Sequence, residues 1–319
     1  MMHIATDSMK NILMRLANTI VANLDNTIDD SLIDGKTGVA LFLYEYGSYS
    51  GCSVYSDIAS GLMSDVMKNI KLYRSPETMD MLGSISLGAA MLSEYGYSDS
   101  SEMEMSDNTV LRFPEAFARN CRQGGLRLYQ PGMYLYHRMN CEKFKPEASL
   151  YSMMITGTSA LLDKMMKGQG KRLDTGVTLS IIYAFSMMRS DLSDYDRDIK
   201  NIIDKCFDIL SGNFGKRYYL EKDIVILRHI ANLFQENLCY SKDLLSKPDI
   251  QPVIFNMEMA YKDSWEMFLY GMDVFDYIDN DVIDVFIKNV CFDMFYDIDN
   301  ANSRLAGLGL CLLRNGKNE

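Results

Sequence analysis

Proline is scarce in this 319-residue chain, with 6 in all and none in a linker-like stretch. Proline breaks helices, so its scarcity favours a mostly helical chain. Histidine is scarcer, at 3, and there is no Cys-x-x-Cys pair and no adjacent Cys-His or His-Gly pair. The closely spaced metal and redox motifs that such pairs announce are therefore missing. No apolar run reaches the roughly 18 residues of a membrane span. Lys10, Arg15 and Asn18 interrupt the N-terminal stretch, so it lacks the apolar region of a secretory signal.

Basic charge is also short. Lys and Arg number 32 against 43 Asp and Glu, giving a net charge of −11 and a pI near 4.9. Nucleic acid is excluded as a partner on that ground, because phosphate neutralisation needs clustered Lys and Arg. A basic or neutral partner suits the balance, and solubility alone explains it. The 7 cysteines are odd in number and widely spaced. They are expected to be reduced core residues of a cytoplasmic protein.

What the chain does have is apolar periodicity. Met9, Ile12, Leu13, Leu16, Ala17, Ile20, Val21 and Leu24 fall on one helical stripe, with Asp7 or Ser8 expected to cap it. Next comes Leu32-Ile33-Asp34-Gly35-Lys36-Thr37-Gly38-Val39-Ala40-Leu41-Phe42-Leu43, where two glycines three residues apart open a segment apolar on all sides. A second stripe runs through Val54, Ile58, Leu62, Val66 and Ile70. Ser75-Pro76 reads as a helix start, leading to a glycine-bearing apolar stretch around Gly83 and Gly88.

The alternation continues to the end. Amphipathic helices are expected near 109–121, over 149–166, from Ile199 to Leu210 and from Val282 to Val290, with Pro248 and Pro252 breaking one stretch between. Between them lie apolar segments marked by Gly132, Gly176, Asp223, Gly271 and Gly307. Counted from Gly35, the landmarks are 48, 49, 44, 47, 48 and 36 residues apart. Asp223 is admitted by spacing alone. A period in this range signals a repeat of helix pairs, in which the all-round apolar helices sit inside and the amphipathic ones outside. The expected fold is all-α, a single domain over 1–319, either an open solenoid or a closed α/α toroid, and closure is favoured.

Gly35-Lys36-Thr37-Gly38-Val39-Ala40-Leu41-Phe42-Leu43 and Leu305-Ala306-Gly307-Leu308-Gly309-Leu310 resemble the first and last glycine motifs of the lanthionine synthetase C-like family. The resemblance implies an α/α toroid of about seven inner and seven outer helices. Active members cyclise ribosomally made peptides with a zinc ion held by two cysteines and a histidine, the fourth position taking the substrate thiolate. Those ligands come from a Trp-Cys-x-Gly motif in the fifth unit and Cys-His-Gly in the sixth. Here Arg217-Tyr218-Tyr219-Leu220 and Leu269-Tyr270-Gly271 stand in their place. Tyr218, Leu269 and Tyr270 thus occupy the positions of the lost ligands, and no zinc or other cofactor is expected. Thr175-Gly176 replaces the family's fourth-unit His-Gly, and no third-unit aspartate stands near Tyr129-Gln130-Pro131-Gly132.

Other chemistry is thin. His3 lies at the terminus, and His229 is expected to be packed near Val225 and Ile226. His137 follows Tyr134 and Tyr136 and precedes Arg138, so that trio could reach a central cavity, or His137 could simply close a helix. The aspartates 273, 276, 279, 281 and 284, and then 293, 297 and 299, read as a solvated rim; they lack the spacing of a magnesium motif or an EF-hand. Asp29, Asp30 and Asp34 read as the loop leading into the first glycine helix. Glu221 and Asp223 open the expected fifth inner helix, where carboxylates suit the helix dipole; they are the weak catalytic candidates. The 24 methionines and 20 tyrosines read first as core packing and second as an adaptable peptide-binding surface.

The expected function is a zinc-less accessory of a peptide-modification pathway, holding a precursor peptide or a maturation enzyme. Tyr134, His137, Arg138, Tyr218, Glu221 and Tyr270 are its expected binding residues. The alternatives are an active thioether-forming cyclase, another enzyme using cavity carboxylates, and a helical-repeat scaffold.

Overall fold

The computed structural model describes residues 2–70, 79–97, 122–123, 126–141, 147–168, 173–234, 244–246, 253, 255–274, 277–293 and 301–316. The described residues fold into thirteen α-helices, with a two-residue antiparallel pair, β1 (Arg122–Gln123) and β2 (Leu126–Arg127). That pair was not anticipated. Contacts group the chain into two compact units, one of residues 1–73 and 255–319, the other of residues 74–254. Among the described residues no helix is long and apolar enough to cross a membrane.

In the first unit α1 (Met2–Ala22) buries Ile12, Leu13, Leu16, Ala17 and Ile20 along the expected stripe. It begins ahead of Asp7 and Ser8, so neither is its cap. The residues before them carry no proline or glycine to stop the helix. Helix α2 (Lys36–Ser50) is buried almost all round, from Thr37 through Leu43 and again from Glu45 to Gly47. Gly51, at φ 69°, ends it in the left-handed conformation that glycine adopts at least cost. The chain turns back into α3 (Ser53–Asn69), which buries only Ala59, Met63 and Val66.

The unit is completed by α10 (Met257–Lys262), α11 (Ser264–Leu269), α12 (Asn280–Asp293) and α13 (Ala301–Gly316). Helix α13 lies against α2, α11 and α1. Asn302 Nδ2 donates to Asn23 O at 2.6 Å and Thr27 Oγ1 at 2.9 Å, so the end of α1 meets the start of α13 and the two run antiparallel. Trp265 Nε1 donates to Ser303 O at 2.9 Å, and the Ser303 hydroxyl donates to Ile33 O.

The glycines explain the closeness of α2, α11 and α13. A Cβ on Gly38 would stand 1.9 Å from Leu32 O and 2.4 Å from Trp265 Cζ2. One on Gly309 would stand 2.3 Å from Phe42 Cε2. No side chain fits at either position, so the helices can touch only through glycine.

The second unit has the same construction. Helices α4 (Met79–Glu94), α5 (Gln130–Met139), α7 (Thr175–Met188) and α9 (Glu221–Leu233) pack in sequence order, each on the next. Tyr129 N–H, just ahead of α5, donates to Ser180 Oγ of α7 at 2.6 Å. Thr175 Oγ1 at the start of α7 donates to Tyr218 O, just ahead of α9, at 2.6 Å. These three helices therefore start side by side and run parallel. Amphipathic α6 (Ala148–Met166) and α8 (Asp196–Gly215) cover them. Asn213 Nδ2 near the end of α8 donates to Leu173 O and Thr175 Oγ1, both at 3.1 Å, so α8 runs antiparallel to α7.

The landmarks do not all sit in one place on their helices. Gly35 precedes α2, Gly132 and Gly176 lie in first turns, and Gly83 and Gly307 lie further in. Gly271 follows α11 at φ 66°; it closes a helix instead of opening one, because a left-handed residue cannot continue a right-handed helix. The helix expected near 109–121, the Ser75-Pro76 start, Pro248 and Pro252 lie outside the described residues.

Candidate functional site

The most chemically loaded group in the second unit lies where α4 and α5 end. Helix α5 is only ten residues long. Its start is fixed by the Tyr129 backbone and by the Tyr129 hydroxyl, 2.9 Å from Thr158 Oγ1 of α6. His137 and Arg138 therefore fall in its last turn. Glu94 is the last residue of α4. Its Oε2 lies 2.6 Å from His137 Nδ1, and its Oε1 accepts from Asn140 Nδ2 at 3.0 Å. A carboxylate accepts, so Nδ1, the ring nitrogen facing Glu94, is the donor of this bond. The other ring nitrogen, Nε2, is buried and has no hydrogen-bond partner among the described residues.

Glu94 sits against its local preference. The end of a helix carries the negative pole of the backbone dipole and disfavours an acid. Two donors from the neighbouring helix hold it there. Cys141, one residue past Asn140, is also buried; its thiol donates to His137 O at 3.5 Å and Ala90 O at 3.6 Å. Burial pushes this thiol above its ordinary value, opposed by hydrogen bonds from Ser93 and Arg138. It is a protonated donor, not a poised thiolate.

A line of rings leads away from the imidazole. Tyr136 lies 4.9 Å from His137 between ring centres, Tyr183 of α7 lies 6.2 Å beyond, and Phe234 lies 6.2 Å beyond that. Tyr136 and Phe234 are half-exposed and Tyr183 is buried. The last two pairings meet edge to face, at 78° and 66°.

The other expected residues lie elsewhere. Tyr134 is buried in the middle of α5. His137 stands seven residues into α5, about 10 Å along its axis, whereas Tyr218 and Glu221 lie at the starting end of α9. The structure does not bring these two groups together. Tyr218 is 60 % exposed, and its N–H donates to Asn213 O at 2.9 Å. Arg217 before it takes the left-handed conformation, at φ 57°. Glu221 is exposed. Asp223 is fully buried, and its Oδ2 accepts from Leu220 N–H at 2.7 Å. The leucine side chain has no acceptor to return that bond, so the capping at the start of α9 comes from Asp223.

In the first unit Leu269 and Tyr270 are both buried at the end of α11. The positions that the family resemblance gives to zinc ligands thus hold an exposed phenol, an aliphatic chain and a buried phenol. That donor set contains no thiolate and no imidazole, and it does not fit zinc. Among the described residues no group of three His, Cys, Asp or Glu side chains is arranged to hold a metal ion.

The acids of the loop leading into α2 are largely structural. Asp30 is buried, pairs with Lys36 Nζ at 3.2 Å and accepts from Asn69 Nδ2 at 2.9 Å. Burial and then the neighbouring Asp29 raise the Asp34 carboxyl above its ordinary value, with Arg304 opposing. On the expected acidic rim, Asp279 and Asp281 are exposed and Asp284 pairs with Lys288. Asp276, Asp297 and Asp299 lie outside the described residues.

Sequence reasoning missed Glu94, Asn140, Tyr183 and Phe234. The one local signal was an acid ending an otherwise apolar helix, in Ser93-Glu94-Tyr95-Gly96. Compared with known proteins, the chain matches no family model, no curated protein and no solved structure.

Proposed function

We propose that the chain is a lanthionine synthetase C-like α/α toroid, about seven inner and seven outer helices over residues 1–319, that has lost the family's zinc chemistry. It binds a precursor peptide or a peptide-maturation enzyme in the cytoplasm as an accessory of peptide modification. The observation that carries this reading is the packing of α2 on α13. These two helices bear the glycine motifs of the resemblance: Gly309 of α13 meets Phe42 of α2, and Gly38 of α2 meets Trp265 of α11, which itself packs on α13. Parallel buried helices covered by antiparallel amphipathic ones support the helix-pair architecture. Tyr218, Leu269 and Tyr270 at the ligand positions favour binding over cyclisation. The net charge of −11 suits a basic or neutral peptide.

The test is metal content by elemental analysis after zinc loading, together with fluorescence anisotropy of a labelled basic, cysteine-bearing peptide. The reading expects no stoichiometric zinc, saturable peptide binding and no thioether product by mass spectrometry. Stoichiometric zinc would restore the cyclase. Absence of both zinc and peptide binding would leave the helical-repeat scaffold.

A further inference from the structure

Helix α12 (Asn280–Asp293) packs on α1 and α10 of the first unit. Its inward row is Ile283 and Ile287, both fully buried. Cys291, on the same side, stands beside Thr19 and Arg15 of α1, and the Phe286 ring lies 5.6 Å from Tyr261 of α10. At 3.6 residues per turn, Val285 falls in the middle of the opposite, outward face. Val282 and half-buried Phe286 lie on one flank of it, Asp281 and Lys288 on the other. Val282 is 49 % exposed and Val285 57 %. Valine is a weaker helix former than the alanine, glutamate or lysine that an outward position accepts, so solvent gives no reason for two valines there. The charges are ordered too. Asp281 stands in the first turn, and Lys288, held by Asp284 of its own helix, stands two turns further on.

We propose that this face of α12 docks a second copy of the chain, the two helices antiparallel about a two-fold axis that passes beside Val285. The occupant follows from the order of the charges. In an antiparallel helix pair related by a two-fold axis, like flanks meet and positions pair in reverse order. Asp281 and Lys288 share a flank and lie on either side of Val285, so each Asp281 faces the other copy's Lys288. On the other flank each Val282 faces the other copy's Phe286, and the two Val285 side chains meet at the axis. A parallel pair would instead set Asp281 against Asp281 and Lys288 against Lys288, so the charges select one orientation. The net charge of −11 per chain opposes association over the rest of the surface. A self-matching face is where two such chains can approach. A pair of 14-residue helices, each about 21 Å long, falls below the roughly 1,200 Å² of a standard interface. The dimer is therefore weak, with a Kd on the order of 10–100 μM. The face is independent of the zinc-less reading.

The test is sedimentation equilibrium of the full chain, over a concentration series that extends well to either side of that Kd. The parent should pass from monomer to dimer. Val285→Ser should weaken the dimer roughly tenfold or more, since one apolar contact is lost from each copy. Val54→Ser, at a valine of α3 that is 58 % exposed, should leave it unchanged. Asp281→Lys and Lys288→Glu should each be monomeric alone, because each sets like charges against one another. An equimolar mixture of those two variants should dimerise, because every facing pair is then of opposite sign. A parent that stays monomeric throughout would overturn the proposal and leave the face to a different partner. So would equal effects of the two serine substitutions, or a mixture as monomeric as its components. Circular dichroism checks that the charge variants are folded. If either is not, the comparison of Val285→Ser with Val54→Ser still decides.

Discussion

Substituting Gly38 with alanine should destabilise the first unit, although alanine is the better helix former. In an open helix interior the change gains about 1 kcal/mol. At Gly38 the new Cβ falls 1.9 Å from Leu32 O and 2.4 Å from Trp265 Cζ2, more than an ångström inside contact distance in both directions. The Leu32 carbonyl belongs to the backbone of a pinned loop. Thr37 Oγ1 donates to Asp30 O at 2.6 Å, and Lys36 N–H donates to Asp29 O at 2.8 Å. Relief must come from shifting that loop or Trp265, and overpacking of this kind costs about 1–3 kcal/mol or more. With backbone on one side, the upper end applies, and the net loss after the helix-propensity gain should be about 2 kcal/mol. Gly61, exposed on α3 with nothing within 4 Å of a Cβ, is the matched control; Gly61→Ala should gain about 0.5–1 kcal/mol. Urea unfolding followed by tryptophan fluorescence reads both, because Trp265 is the only tryptophan and lies in this unit. A Gly38→Ala protein as stable as the parent, or equal effects at the two sites, would refute the close-contact account.

Asp223→Ala should cost about 1–2 kcal/mol by removing the carboxylate that accepts from Leu220 N–H at 2.7 Å, whereas Glu221→Gln, at an exposed position, should stay within about 0.5 kcal/mol; thermal melts of both compare them. Cys206 and Cys311 are buried, their thiols pushed up by burial, that of Cys311 to about 12; mass spectrometry after iodoacetamide should find Cys52 alkylated well before either. Asp34→Asn should stabilise the fold near neutral pH. The Asp34 carboxyl is raised above 3.8, so its ionisation opposes folding at pH values above the raised value. That advantage should shrink as pH falls through the window and vanish below 3.8, where both states are protonated; urea midpoints across pH read the trend.

The helices were legible where apolar periodicity was strong, as in α1, α6, α8 and α12, because burial on one face leaves a repeat that composition cannot hide. Their ends were less so. Gly271 was read as opening a helix and closes one, since the same residue serves both roles and only φ distinguishes them. Asp223 was legible as a helix start, and the structure gives it a capping bond that spacing could not reveal. His137 could be placed at a helix end, but its partner Glu94 lies 43 residues upstream. Nothing local in a chain predicts which of many surface-type acids will meet a histidine that far away. Tyr183 and Phe234 join the site for the same reason, through the lateral order of α5, α7 and α9.

Asn302 donates to Asn23 and Thr27 across some 280 positions of sequence, and that bond sets a timetable for synthesis. Helices α1 and α2 leave the ribosome with the faces that α13 will cover still bare. At about 5–20 residues per second, the 181 residues from 74 to 254 take roughly 10–40 s before the first residue of the matching half is made. The contiguous stretch can condense in that interval, while the earlier helices remain an unfinished core exposed to chaperones and proteases. A nonsense codon anywhere before α13 would therefore remove more than a tail: it would strand the beginning of the chain as well.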